Sequence, residues 1–254
     1  MKINIRHKVR KKNIFIIFLF IISVLSVGVY KDKQVMANKL AKINQWHEAK
    51  ANFIGDSITY GLDPLDHNKS MTYRYTDSVK EKCEFLELNN YGVVGSTIAK
   101  ISANNNSFIE RYNAMNNNAD LIGIFGGTND YGLDVPLGAI NDGDNTHFKN
   151  AFNSLIKGIV TKYPNKKIFV ITPIPRNTKY QYNNSLGLTL KDYVDAEIEI
   201  CKSYKVPVLN LYESYGIDPF NENDKNSYMP DGLHPNEYGQ KILANKIIDF
   251  INNL

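Results

Sequence analysis

The stretch Ala51-Asn52-Phe53-Ile54-Gly55-Asp56-Ser57-Ile58-Thr59 joins a short apolar run to a turn that carries a serine. The run from Ala51 to Ile54 predicts a first β-strand, and the small and turn-forming residues around Ser57 predict a sharp exit from it. In α/β sheets, reactive groups gather beyond the carboxyl ends of the strands. Ser57 is therefore a candidate nucleophile, although the same residues are also typical of an ordinary turn or helix cap.

Downstream of this stretch, strand-like and helix-like segments alternate. Further strands are predicted at residues 85–88, 119–125, 167–173 and 206–211. Helices are predicted at residues 71–85, within 107–115, and at 148–163, 190–204 and 236–251, with Pro235 at the start of the last one. Five strands separated by helices predict an α/β fold whose parallel sheet is covered on both faces.

The first 37 residues differ in composition from the rest. An apolar run from Ile14 to Val29 follows a basic flank made of Lys2, Arg6, Lys8, Arg10, Lys11 and Lys12. As a helix this run would be ~25 Å long, close to the hydrocarbon thickness of a bilayer. We predict that residues 1–37 are a signal peptide or a membrane anchor, that 38–50 form a linker and that 51–254 form one domain. Because a basic flank stays in the cytoplasm, we expect this domain to be extracytoplasmic, either anchored at the membrane or secreted.

The charge and the cysteine content of the chain argue against several classes of function. The formal net charge is +4, but residues 1–37 hold eight Lys or Arg and one Asp, a net +7 that leaves −3 for residues 38–254. A slightly acidic domain gives no electrostatic support for binding nucleic acid. Cys83 and Cys201 are predicted to be core residues rather than a disulfide, and no Cys/His cluster has metal-ligand spacing. We therefore expect no metal and no disulfide.

A candidate base lies near the carboxyl end of the chain. In Asp231-Gly232-Leu233-His234-Pro235, the carboxylate can reach the imidazole within one loop. Such a carboxylate would orient His234 and stabilise the imidazolium that forms when the base takes the proton of a serine. The alternative is a plain turn in which His234 caps the following helix.

Acyl transfer also requires donors for a tetrahedral oxyanion. Three candidates follow the first three predicted strands: the backbone N–H of Ser57, that of Gly95 and the side-chain amide of Asn129. A glycine allows close approach of the backbone to a substrate, and an asparagine amide donates without carrying charge. Gly95 is equally typical of a turn, and Asn129 of a helix cap.

Together these residues resemble the four signature blocks of the SGNH, or GDSL-type, hydrolases. The blocks are 55–59, 90–95, 127–130 and 231–235, in the order and spacing of that family. The resemblance implies a flavodoxin-like, three-layer α/β/α domain with a five-stranded parallel sheet, and a cofactor-free ester hydrolase. It implies that Ser57 is the nucleophile, His234 the base and Asp231 the orienting acid, with Ser57, Gly95 and Asn129 forming the oxyanion hole. Gly92 competes with Gly95 for the second-block donor, and the family's spacing from Asn90 favours Gly95.

The substrate is predicted from what lies between the blocks. Few large insertions are present, so we expect a shallow acyl pocket that takes a small acyl group on a bulky alcohol. A loop rich in Tyr and Asn at Tyr180 to Asn184 and the lack of an apolar lid favour O-acetylated carbohydrate. A lysophospholipase or short-chain lipase working beside the membrane is the alternative. A non-catalytic glycan-binding module of the same fold is the alternative from another class, and acyl transfer to a sugar would use the same acyl-enzyme.

Overall fold

A computed structural model describes residues 26–36, 44–101, 106–178 and 182–254. The chain forms two units, residues 1–45 and 46–254. In the first unit, residues 26–36 are helical. Most of the predicted anchor or signal segment, and residues 38–43 of the predicted linker, lie outside the described residues. None of the helices in the described ranges is both long enough and apolar enough to cross a bilayer.

Five parallel strands form the central sheet of the second unit. In the sheet they lie in the order β2-β1-β3-β4-β5. Their bounds are β1 Lys50–Gly55, β2 Glu87–Gly92, β3 Leu121–Phe125, β4 Lys167–Ile171 and β5 Val208–Leu209. This order, with helices on both faces, confirms the predicted three-layer α/β/α fold.

The observed strands differ from the predicted ones at their ends, and β2 and β5 differ most, for local reasons. β2 continues beyond residue 88 because the polar side chains there are hydrogen-bonded: Asn89 Nδ2 donates to Asn52 Oδ1 (3.1 Å) and Asn90 Nδ2 to the carbonyl of Thr59 (2.6 Å). β5 is only two residues long, because the side chain of Asn210 already caps the next helix by accepting the N–H of Glu213. The predicted bounds 85–88 and 206–211 were therefore wrong.

Nine α-helices lie within the described part of the second unit, and the apolar faces of the long ones fill two cores. α5 and α6 pack on one face of the sheet, and α2 and α9 on the other. The helices are α1 Ser57–Tyr60, α2 Tyr75–Lys82, α3 Phe108–Arg111, α4 Thr128–Gly132, α5 Phe148–Lys162, α6 Leu190–Tyr204, α7 Leu211–Ser214, α8 Glu222–Tyr228 and α9 Glu237–Ile251. Short 3₁₀ helices span Asn44–Trp46 and Tyr112–Ala114. Cys83 and Cys201 are both buried and unpaired.

The starts of two helices differ from the prediction. α2 begins at residue 75 rather than 71, because the N–H of Met71 donates to the carbonyl of Gly61 (2.7 Å) and keeps this segment extended. α9 begins after Asn236, whose side chain accepts the N–H groups of Tyr238 and Gly239. Pro235 therefore lies before the cap rather than in the first turn of the helix.

Arg111 ties together the carboxyl ends of β1 and β2. Its guanidinium donates to the carbonyls of Gly55 and Tyr91 (2.5 Å each), and its Nε donates to the carbonyl of Asn106 (2.8 Å). No motif in the sequence around Arg111 predicts this role for its half-buried side chain. It fixes the edge of the sheet from which the predicted functional loops leave.

Replacing Arg111 by Met should lower the free energy of unfolding by about 3 kcal/mol, because hydrogen bonds from a charged group contribute about 1.5–3 kcal/mol each. Denaturant unfolding measures the loss. Arg74→Met is the control, since Arg74 forms a partly exposed ion pair with Asp77 and should change stability by less than about 1 kcal/mol. Equal losses in the two variants would contradict the bridging role of Arg111.

Candidate active site

Ser57 lies where β1 meets α1. It is the first residue of α1, and the side chain of Asp56 caps the helix by accepting the N–H of Ile58 (2.9 Å). Ser57 is almost fully buried, and its Oγ is 2.8 Å from Nε2 of His234. The serine hydroxyl is thus held against an imidazole that comes from a loop 177 residues further along the chain.

Contacts from three directions hold the turn that carries Ser57. Asn90 in β2 donates to the carbonyl of Thr59, the hydroxyl of Tyr75 lies 2.9 Å from that of Thr59, and Gln240 in α9 donates to the carbonyl of Ile58 (3.2 Å). These bonds join the turn to a strand and to two helices. A nucleophile needs this kind of support, because small displacements cost reaction rate.

Asp231 holds His234 through both of its carboxylate oxygens. Oδ1 accepts the backbone N–H groups of Leu233 (2.9 Å) and His234 (2.7 Å), while Oδ2 lies 2.6 Å from Nδ1 of His234. Burial works to raise the pKa of Asp231, but the hydrogen bonds from the His234 ring and from the two backbone groups outweigh it and lower the pKa to about 2. The ionised carboxylate favours the tautomer with a proton on Nδ1, which turns the Nε2 lone pair toward Ser57.

A second histidine contacts the same carboxylate. His67 lies in the loop between α1 and α2, and its Nε2 is 3.2 Å from Oδ2 of Asp231. Its ring meets that of His234 edge to face, with 5.5 Å between the ring centroids. Nothing in the sequence links His67 to a residue 164 positions away, so this contact was not predicted.

The register of the sheet brings the three predicted oxyanion donors to one edge. Gly55, at the end of β1, pairs with Gly92 in β2 and with Phe125 in β3, so Ser57, Gly95 and Asn129 follow strand ends that lie side by side. The amide of Asn129 donates to the carbonyl of Ser96 (2.9 Å), the residue after Gly95. In the described residues, the N–H groups of Ser57 and Gly95 donate to no backbone carbonyl.

The two candidate glycines of the second block differ in their surroundings. Gly95 is exposed, has a φ of +72°, and has no atom within 4 Å of where a Cβ would be. The N–H of Gly92 is already bonded to Oδ1 of Asn90 (2.8 Å), and a Cβ there would lie 2.1 Å from the backbone nitrogen of Tyr60. Gly95 is open to a ligand, whereas Gly92 is a packing contact.

Three buried carboxyl groups lie beneath this edge. Burial raises the pKa of Asp56 to about 6, and it raises that of Asp130 to about 7 although Asp130 accepts the N–H groups of Ile98 and Ala99 (2.9 Å each). Glu197 in α6 is fully buried, and its carboxyl oxygens have no hydrogen-bond partner among the described residues. Burial first, and then the charges of Asp130 and Asp56, raise the pKa of Glu197 well above its usual value.

An aromatic cavity of about 300 Å³ is lined by residues that include some from the segments after the carboxyl ends of β3, β4 and β5. Tyr131, Tyr182, Tyr212 and Phe220 contribute to its lining. The rings of Tyr182 and Phe220 are parallel, 6.0 Å apart, and 70% and 43% exposed. They offer two apolar faces to a ligand.

Arg176 and Asn177 connect this cavity to the Ser57 site. Arg176 lines the cavity and donates to the carbonyl of Thr128 (2.8 Å), the residue before Asn129. The N–H of Asn177 donates to the carbonyl of Gly232 (2.8 Å), which lies between Asp231 and His234. The cavity is thus coupled to both loops that supply predicted site residues.

Only part of the predicted Tyr180–Asn184 loop contributes to the cavity. Residues 179–181 lie outside the described residues. Asn184 is buried and donates to the carbonyl of Tyr131 (3.2 Å) and to the hydroxyl of Tyr193 (3.1 Å), so it stabilises the loop. Tyr182 is the member of this loop that lines the cavity.

Comparison with known proteins gives a consistent picture. The model of the GDSL-like Lipase/Acylhydrolase family matches residues 53–242. One solved structure is 32% identical, covering 83% of this chain and 99% of its own, with a TM-score of 0.78. A protein from Lactobacillus plantarum is 31% identical over 82% of this chain and 98% of its own, with a TM-score of 0.74. A possible lipase from Chitinophaga pinensis is 25% identical over 81% and 98%, with a TM-score of 0.63. No curated protein matches the chain significantly.

The raised pKa of Glu197 predicts a specific pH dependence of stability. Below about pH 4.3, the usual pKa of glutamate, both states hold the proton and the stabilisation is complete. As the pH rises toward the raised pKa, only the folded state keeps the proton, so this group lowers the stability by about 1.4 kcal/mol per pH unit. Glu197→Gln has no such proton to lose, and its free energy of unfolding should fall less steeply between pH 5 and pH 8.

Glu199→Gln is the matched control, because Glu199 lies on the same helix and is exposed. Denaturant unfolding at several pH values measures both variants. A slope in Glu197→Gln that equals the slopes of the wild type and of the control would contradict a protonated Glu197.

Proposed function

Because this chain belongs to the GDSL-like lipase/acylhydrolase family, and is thus a hydrolase of ester bonds, we propose that it works through Ser57, His234 and Asp231. One observation carries the proposal: Ser57 Oγ lies 2.8 Å from His234 Nε2, while His234 Nδ1 lies 2.6 Å from Asp231 Oδ2. Both distances are within hydrogen-bond range, and the base is oriented by a third group. A non-catalytic module would have no need of this alignment.

The reaction proceeds in two steps. His234 Nε2 takes the hydroxyl proton while Ser57 Oγ attacks the ester carbonyl, and the proton then passes to the departing alcohol. Water, deprotonated by the same nitrogen, then attacks the acyl-enzyme; the bond to Ser57 Oγ breaks, the acid leaves and the proton returns to Oγ. Asp231, ionised at neutral pH, stabilises the imidazolium in both steps.

The tetrahedral oxyanion is assigned to the N–H groups of Ser57 and Gly95 and to the amide of Asn129. One amide hydrogen of Asn129 is engaged by Ser96, which fixes the side chain and leaves the second for the substrate. The open space around Gly95 supports its role, because a substrate oxygen must approach that backbone closely.

We propose O-acetylated carbohydrate as the substrate. The aromatic cavity supports this, because exposed Tyr and Phe faces stack on sugar rings, and Arg176 couples the cavity to the turn of Asn129. The sugar alcohol would occupy the cavity while the acetyl group faces Ser57. The basic and apolar N-terminal sequence supports an extracytoplasmic location, where cell-surface or dietary glycans are found.

Ser57→Ala should lower kcat/KM for p-nitrophenyl acetate by about 10⁴-fold or more, because no other group replaces the nucleophile. The measurement pairs ester turnover with labelling by a fluorophosphonate probe, whose adduct mass spectrometry should locate on Ser57. Ser203→Ala on the surface of α6 is the control and should keep both turnover and labelling. Turnover near the wild-type rate in Ser57→Ala would reject the proposed nucleophile.

Tyr182→Ala and Phe220→Ala should each raise KM for an acetylated xylo-oligosaccharide by about 5-fold, as expected when a ring worth about 1 kcal/mol of stacking is lost. The kinetics on p-nitrophenyl acetate should stay unchanged, since that ester carries no sugar. Tyr238→Ala removes an exposed ring on α9 and is the control.

Comparing substrates tests the alternatives to this assignment. Preference for lysolipid and long-chain p-nitrophenyl esters, with no effect of either cavity variant on acetylated glycan, would favour the lipase. Acetylated product in excess of free acetate, when an acceptor glycan is supplied, would show acyl transfer.

A further inference from the structure

His67 contacts the site although a Ser-His-Asp mechanism has no step for it. Its side chain is 59% exposed, whereas that of Asp231 is 19% exposed and that of His234 only 9%. Its Nε2 points at the same oxygen, Oδ2 of Asp231, that holds the ring of His234. Two imidazoles therefore converge on one carboxylate oxygen at the mouth of the site.

This grouping has the composition of a metal site. One ligand atom from each of His67, Asp231 and His234 lies within 4.8 Å of the other two. Around a tetrahedral Zn²⁺ with bonds of about 2.0–2.1 Å, the donor atoms are about 3.4 Å apart. Oδ2 of Asp231 is already closer than that to Nδ1 of His234 (2.6 Å) and to Nε2 of His67 (3.2 Å), so the ion replaces these two hydrogen bonds and moves the donors slightly apart. His67 can supply that movement because it is exposed and lies on a loop. The backbone donors on Oδ1 hold Asp231 in place and leave Oδ2 for the metal.

We propose that His67, Asp231 and His234 bind Zn²⁺ and that this binding reversibly inhibits the esterase, an inference that rests on the proposed role of His234 as the base. Two imidazoles and a carboxylate, with a fourth position open to water, are a ligand set that Zn²⁺ favours. Mg²⁺ and Ca²⁺ prefer oxygen ligands and should not compete.

Metal binding at either ring nitrogen of His234 disables the base. If Nε2 binds the metal, its lone pair is no longer available to Ser57. If Nδ1 binds, the proton of that nitrogen moves to Nε2, which then donates to Ser57 Oγ instead of accepting from it. Neither route requires another reactant, because in the first no proton leaves the ring and in the second the proton only changes nitrogen. Removing the metal restores the original tautomer and the activity.

The test uses the full chain and p-nitrophenyl acetate, with each variant's rate normalised to its own metal-free rate. Zn²⁺ should inhibit the wild type and EDTA should reverse the inhibition, while Mg²⁺ and Ca²⁺ have no effect. His67→Gln should raise the zinc inhibition constant by about a hundredfold, since the loss of a direct ligand costs at least as much as the loss of a supporting residue.

His147→Gln is the matched control. His147 also faces carboxylates, with Nδ1 2.8 Å from Asp142 and Nε2 3.9 Å from Asp144, and this variant should keep the zinc sensitivity of the wild type. Zinc inhibition that is the same in His67→Gln as in the wild type would overturn the proposal. So would a lower rate in His67→Gln without a change in zinc sensitivity, because it would mean that His67 only positions Asp231.

A direct measurement of metal binding distinguishes a failure of the zinc site from a failure of the proposed function. In the Ser57→Ala background, Co²⁺ in place of Zn²⁺ should give the intense visible absorption of a tetrahedral site, and adding His67→Gln should remove it. If Ser57→Ala retained turnover, the nucleophile assignment would fail while the Co²⁺ spectrum still reported on the metal site. Identical Co²⁺ spectra with and without His67 would overturn the metal site, whatever the activity.

Discussion

The parallel register of β1 with its two neighbours is the constraint on which the site depends. Because Gly55 pairs with Gly92 on one side and with Phe125 on the other, three strands end at the same level. The loops that follow them must therefore emerge side by side. Arg111 reinforces this edge by donating to the ends of β1 and β2 at once. The pairing of the strands therefore brings Ser57, Gly95 and Asn129 to one edge of the sheet. The contacts of their own side chains are secondary to this.

The buried carboxyl groups under this edge lower the stability of the fold when they are ionised. An unpaired carboxylate in an apolar interior is expensive, so burial favours the protonated forms of Asp56, Asp130 and Glu197. Asp130 has a structural reason to be there, since it holds the backbone of Ile98 and Ala99 after β2. Glu197 lies under the turn that carries Asn129: one of its oxygens would be 2.6 Å from a Cβ at Gly127. These three carboxyl groups thus pack beneath the loops that carry the predicted oxyanion donors, and we expect them to make the stability of these loops depend on pH.

Sequence reasoning predicted the fold class and the residues that meet at the sheet edge, because both depend on local patterns. Apolar runs that alternate with helix-like segments predict the strands, and Asp231 and His234 lie within one short loop. It missed His67, Arg111, Arg176 and Glu197, whose partners are distant in sequence. Arg111 reaches Gly55 across 56 residues, and His67 reaches Asp231 across 164. The predicted strand bounds were wrong where a polar residue belongs to a strand because its side chain is hydrogen-bonded, as at Asn89 and Asn90 in β2. The catalytic roles themselves remain predictions.

The carboxylate of Asp231 is shared by the proposed mechanism and by the proposed zinc site. To orient a base, it must be ionised, held by its backbone and open on one oxygen toward an imidazole. These are also the properties of a good metal ligand. A carboxylate and the imidazole that it orients therefore need only one further donor to form a metal site. In this chain His67 supplies that donor from a loop that otherwise has no part in the chemistry. Its exposure leaves the imidazole free to move toward a cation, whereas His234 is held by Ser57 and by Asp231. The proposed zinc site thus adds His67 to the group without altering the contacts of Ser57, His234 and Asp231 in the metal-free protein.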